Sequence, residues 1–166
     1  MAAKVRGTVL GLLLLVVLAL TPFRPLKVTG HSMEPTLHNG ETYLLDQFYW
    51  KRSGLRRSDI VAVKHGQEVW VKRLIGMPGD RLRITRTDED WITGISNLTM
   101  SPEPARDGRQ DEIRDVGPDE VFVIGDNLNR SMDSTNQEAG AFKKADIIGV
   151  VRAFPFRREF PFQKHL

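Results

Sequence analysis

No cysteine occurs in the 166 residues. That excludes a disulfide framework, a thiol nucleophile and any Cys-ligated zinc or iron–sulfur centre. Histidine is scarce too, and His38, His65 and His165 have none of the spacing of a metal site, so neither a metal nor any other cofactor is expected. A block of one charge is also missing. The 24 Lys and Arg are scattered among 21 Asp and Glu to leave a net charge of +3, which gives no reason to expect a nucleic-acid partner. Internal repeats are absent and convincing amphipathic helices are few. What remains, 40% apolar and 27% charged, is the composition of an ordinary globular domain with a real core.

The longest apolar run lies at the N-terminus, residues 9–20, behind Lys4 and Arg6. Such a run of roughly a dozen residues is near the length of a signal-peptide core and below the roughly 20 that usually span a bilayer. Even residues 8–23 would make only about 24 Å of helix at 1.5 Å per residue, so spanning requires local thinning or snorkelling flanks. No small-x-small cleavage site follows, because Ala19-Leu20-Thr21 pairs a small residue with a bulky one and Pro22 comes next. The run therefore reads as a retained anchor over residues 1–23. Lys4 and Arg6 would keep its start in the cytoplasm, although Arg24 and Lys27 weaken that bias. Residues 24–166 would then form one domain on the outer side of a plasma membrane, facing a lipid bilayer.

Beyond the anchor the chain reads as short strands and turns. Residues 43–45, 59–64, 69–75, 81–84, 121–124 and 147–154 are rich in branched and aromatic side chains. Asn39-Gly40, His65-Gly66, Pro78-Gly79-Asp80, Gly117-Pro118 and Gly125-Asp126-Asn127 supply turn chemistry between them. Strands this short, with no helices between, predict a mainly antiparallel β fold. The polar stretch 85–119 is expected to be a surface insertion of weak structure.

Three segments carry chemistry: Gly30-His31-Ser32-Met33-Glu34-Pro35-Thr36-Leu37, Val71-Lys72-Arg73-Leu74-Ile75-Gly76-Met77-Pro78-Gly79-Asp80, and Gly125-Asp126-Asn127-Leu128-Asn129-Arg130-Ser131-Met132-Asp133-Ser134. Singly, each could be a structural turn. In this order behind an apolar run they resemble the Ser, Lys and Gly-Asp-Asn boxes of bacterial type I signal peptidases. Ser58-Asp59-Ile60-Val61 also resembles that family's Gly-Asp-Ile-Val strand, with Ser58 in place of glycine.

A serine hydroxyl attacks only when a base takes its proton. His31 adjoins Ser32, but neighbours in an extended segment point to opposite faces, which makes it a poor base for Ser32. Lysine can serve only as the neutral amine, so burial must lower its pKa from near 10.4. Alternation along residues 68–75 puts Lys72 on one face with Trp70 and Leu74, apolar neighbours that would desolvate it. Arg73, on the other face, is the better candidate for a snorkelling strand residue.

The resemblance implies a membrane-bound serine endopeptidase that cuts signal peptides from exported preproteins, with Ser32 as nucleophile and Lys72 as base. It gives Ser131 the task of orienting the Lys72 amine and Asp133 a stabilising role. Where many members have arginine after the Asp-Ser pair this chain has Thr135, so a salt bridge from Asp133 would need Arg130 or Arg73. One oxyanion donor would be the Ser32 N–H; Gly30 lacks the hydroxyl some members place there, though glycine would allow close substrate approach. The implied groove takes the signal peptide as an added strand. Its shallow pockets are expected from Val28, Met33, Leu37, Val61, Val63 and Val71. Partners would be signal peptides, the bilayer and the secretion translocon. Other readings are a mitochondrial inner-membrane peptidase, a self-cleaving repressor, disfavoured by the apolar run, and a non-catalytic anchored β module in secretion.

Overall fold

The computed structural model describes residues 23–89, 91–101 and 110–152, and before them Gly7, Val9, Gly11 and Leu12, which are helical. The expected anchor otherwise lies outside the described residues, and no described helix is long and apolar enough to cross a membrane. Ten strands follow in chain order: β1 (Phe23–Lys27), β2 (Thr42–Asp46), β3 (Ile60–His65), β4 (Glu68–Gly76), β5 (Arg81–Arg86), β6 (Ile92–Asn97), β7 (Gln110–Asp115), β8 (Glu120–Ile124), β9 (Phe142–Lys143) and β10 (Ile147–Arg152). One short α-helix, α1 (Tyr49–Ser53), and two 3-10 turns, Leu128–Arg130 and Lys144–Asp146, interrupt them among the described residues.

Seven strands form one sheet in the order β1-β2-β10-β3-β4-β8-β9, and β6-β5-β7 form a second. Every pairing is antiparallel, as strands joined without long helical crossovers favour. The large sheet is buried on both faces at its centre. In β3, Val61 and Val63 pack with Trp50, Leu74, Val121 and Val123, whereas Ile60 and Ala62 turn to a second cluster with Val28, Met33, Leu37, Leu45 and Val151. A third cluster joins the two sheets through Leu82, Ile84, Ile92 and Val116 with Phe122 and Ile124 of β8.

The described residues of the stretch 85–119, expected to have weak structure, are ordered by pairing. They supply β6 and β7, whose polar residues are matched across the ladder: Arg81 Nε reaches Asp115 Oδ1 at 2.8 Å, Arg83 Nε reaches Asp111 Oδ2 at 3.2 Å and Thr85 Oγ1 donates to Asp111 Oδ1 at 2.9 Å. Charge pairing replaces apolar alternation there. Ser58, standing where the resembled strand has glycine, adopts φ +69, the left-handed region that costs an L side chain about 1–2 kcal/mol. Glycine is the residue that position suits.

Candidate active site

Ser32 stands on the turn-rich loop between β1 and β2. Met33 and Leu37 sink into the second cluster and fix the loop from beneath, while Val28 N–H donates to Glu41 O at 2.9 Å and Gly40 N–H to Val28 O at 2.8 Å at its base. Gly30 takes φ +95 and donates its N–H to Asn39 Oδ1 at 3.0 Å, so its glycine serves the turn as well as access. From the other side Asn127 clasps the loop: its backbone N–H donates to Ser32 O at 2.9 Å and its Nδ2 to His31 O at 3.2 Å. The His31 ring points out to solvent and is hydrogen-bonded to Glu34 Oε1 at 2.8 Å.

Lys72 comes from the middle of β4, opposite Val61, and its Nζ donates to Ser32 Oγ at 2.8 Å. The residue is only 4% exposed, and Nζ lies 5.7 Å from the Trp70 ring centroid. Burial pushes the amine's pKa below the ordinary lysine value, partly opposed by the negative charge of Asp133.

Arg73 departs from its expected role. It does not snorkel; it is fully buried and forks onto Asp126, Nε to Oδ1 at 2.7 Å and Nη2 to Oδ2 at 2.5 Å, while Nη1 donates to Ser58 O at 3.0 Å. This pair ties the lysine strand to the Gly-Asp-Asn turn. Asp126→Ala would leave the guanidinium buried and uncompensated, at a cost of about 3–5 kcal/mol. Equilibrium denaturation should register a loss of that size.

Neither Arg73 nor Arg130 forms an ion pair with Asp133. That fully buried carboxylate instead accepts Gly125 N–H on Oδ2 at 2.8 Å, and Thr135 N–H and Oγ1 on Oδ1 at 3.0 and 2.7 Å. Thr135 thus satisfies, with a hydroxyl and an amide, a carboxylate oxygen expected to need an arginine. Ser131 is a second correction. Its Oγ is buried with no hydrogen-bond partner among the described residues, so the expected bond to the Lys72 amine is not made. It packs against Gly125 instead, where an added Cβ would come within 3.0 Å of Ser131 Oγ and of the Ser32 carbonyl oxygen.

A groove of about 720 Å³ leads to the Ser32–Lys72 pair, walled by residues 26–33, residues 68–72, Arg130 and Met132. Of the expected pocket residues, Val28, Met33 and Val71 line it. Leu37, Val61 and Val63 do not: each is fully buried in the core clusters, because β3 is covered on both faces. β8 pairs with β4 only from Arg73 onward, which leaves the 68–72 edge facing the groove. Sequence reasoning missed the parts of Gly125, Asp126, Asn127 and Thr135. All four lie in or beside the Gly-Asp-Asn box, so the motif located them without giving their contacts.

A serine hydroxyl held by a desolvated amine, with an open strand edge alongside, is an arrangement of serine peptidases that use lysine where others use histidine. The family follows from similarity: the model described as "Signal peptidase, peptidase S26" matches residues 2–156, and the chain belongs to that family. Signal peptidase I P of Bacillus subtilis subsp. natto is 35% identical over 158 residues, covering 88% of this chain and 84% of that protein. Signal peptidase I of Bacillus amyloliquefaciens is 37% identical over 145 residues, covering 81% and 77%. A crystal structure of a signal peptidase I from Enterococcus faecalis V583 is 29% identical and covers 58% of this chain and 95% of that one, with a TM-score of 0.40.

Proposed function

We propose that this serine peptidase removes signal peptides from exported preproteins, with Ser32 as nucleophile and Lys72 as general base. The 2.8 Å contact between Ser32 Oγ and a buried Lys72 Nζ carries the reading. The neutral amine takes the hydroxyl proton as Oγ attacks the scissile carbonyl. The ammonium then gives that proton to the departing amine, leaving an acyl-enzyme. Water, deprotonated by the same amine, attacks the ester carbonyl; the tetrahedral intermediate collapses, the proton returns to Ser32 and the acid is released. The Ser32 N–H donates to no protein acceptor among the described residues, which supports its use as an oxyanion donor.

The signal peptide would lie as an added strand along the 68–72 edge, its small side chains against Val28, Met33 and Val71. Asp133 holds Gly125 and Thr135 in place and keeps a negative charge near the amine, while Arg73 and Gly30 position the two loops. The residues before β1, 1–22, are read as a retained anchor that keeps the domain on the outer face of a bacterial plasma membrane, within reach of preproteins emerging from the translocon; Phe23, expected to end the anchor, opens β1 instead. Cleavage of a preprotein by the detergent-solubilised chain, compared with Ser32→Ala, tests the proposal; equal cleavage by the two would sink it.

The pH dependence has a definite sign. Lys72 acts only when deprotonated, and burial lowers its pKa, so kcat/KM should rise with pH and level off below the pH at which an ordinary lysine titrates. A pH–rate profile measures this. A plateau already present at pH 5 would contradict a lysine base.

A further inference from the structure

A second cavity, of about 610 Å³, is lined in part by Ser131 and shares no lining residue with the groove. Ser131 is extended, at φ −125 and ψ 130, so its side chain faces oppositely to those of its neighbours. Arg130 and Met132 accordingly line the groove, whereas Ser131 lines the second cavity. Ser131 Oγ and the Ser32 carbonyl converge on Gly125, which brings the second cavity within a residue of the nucleophile.

The cavity's walls are fixed in place. Asn129 receives Ile92 N–H at 3.0 Å and donates to Ile92 O at 3.4 Å, bolting the start of β6 to the nucleophile's neighbour loop, and Arg86 Nη2 donates to Thr135 O at 2.9 Å. Trp91 forms an exposed aromatic side, and Glu89 and Glu138 stand exposed at the rim.

An endopeptidase must hold chain on both sides of the bond it cuts, and the groove accounts for the residues before it. We propose that the second cavity is the subsite for the first few residues after the cut, the new N-terminus of the exported protein, which would cross the crest at 130–132 to reach it. This rests on the proposed function. Each extended residue advances about 3.3 Å, so four residues past the cut reach about 13 Å from it. Glu89 and Glu138 would disfavour acidic side chains there and favour basic ones.

Two peptides identical up to the cut, one continuing with four residues that include lysines and the other with aspartates in their place, test this. The wild-type enzyme should cut the basic peptide with a kcat/KM about three- to tenfold above the acidic one, the range expected of exposed charge pairs. In the Glu89→Lys/Glu138→Lys variant that ratio should fall to one or invert. The same ratio in both enzymes, or no preference in the wild type, would overturn the inference while leaving the Ser32–Lys72 reading intact. A wild-type enzyme that cut neither peptide would overturn both.

Discussion

Ser32→Ala and Lys72→Met should each reduce kcat/KM toward a preprotein by at least about 10³-fold, and the double variant should be no worse than either single one. The reason lies in the 2.8 Å contact: among the described residues Lys72 is the base that meets the hydroxyl, and the two act as one unit. His31 cannot substitute, because its ring is turned outward onto Glu34. Methionine fills much of the volume of the lysine side chain and removes a desolvated amine, so Lys72→Met should fold as well as wild type, which thermal denaturation would register. Lys72→Met turnover within tenfold of wild type would show that the contact is structural and that proton transfer runs by another route. Multiplicative losses in the double variant would likewise show that the two residues do not act together.

The strands that could be read from the sequence are those with branched or aromatic runs, β2, β3, β4, β5, β8 and β10, and they include all but the short edges of the large sheet. β1 was not legible, because Phe23–Lys27 contains a proline and two charges; its extended form comes from pairing with β2 at the sheet edge, where proline is tolerated. β7, reading QDEIRD, has little strand propensity of its own and is held by β5, where Arg81 lies opposite Asp115 and Arg83 reaches Asp111 from a diagonal position. Strand propensity of that kind belongs to the neighbours.

The site shows the same division. Ser32, Lys72 and the burial of Lys72 beside Trp70 follow from motif and alternation. The orientation of Arg73 follows from alternation, but its destination does not: nothing local distinguishes an arginine that reaches solvent from one that meets Asp126 across 53 positions of chain. Likewise Val61 and Val63 look like groove residues until β3 is seen to be covered on both faces.

Gly125→Ala should be the most damaging single methyl added anywhere near the site. The position is not a turn glycine; what it provides is room. A Cβ there would come within 3.0 Å of the Ser32 carbonyl oxygen and Ser131 Oγ, and within 2.6 Å of Ser131 Cβ. Ser131 could swing away, since its hydroxyl has no hydrogen bond to lose. The Ser32 carbonyl cannot yield so cheaply, because it is backbone and already accepts the Asn127 N–H at 2.9 Å. Relief therefore comes by displacing the nucleophile loop, which carries Ser32 Oγ away from Lys72 Nζ, and a misplacement of about 1 Å can cost 10²-fold in rate. Overpacking should also lower stability by about 1–3 kcal/mol. The expected result is a fall in kcat/KM of about 10²-fold or more, in a protein that still unfolds cooperatively. Adding Ser131→Gly separates the two contacts: it removes the side-chain clash and leaves the carbonyl one. Activity should stay low in the Gly125→Ala/Ser131→Gly variant. Recovery to near the level of Ser131→Gly alone would mean that the methyl acts through Ser131, and that the third motif supports the nucleophile through that side chain and not through the bare backbone of Gly125.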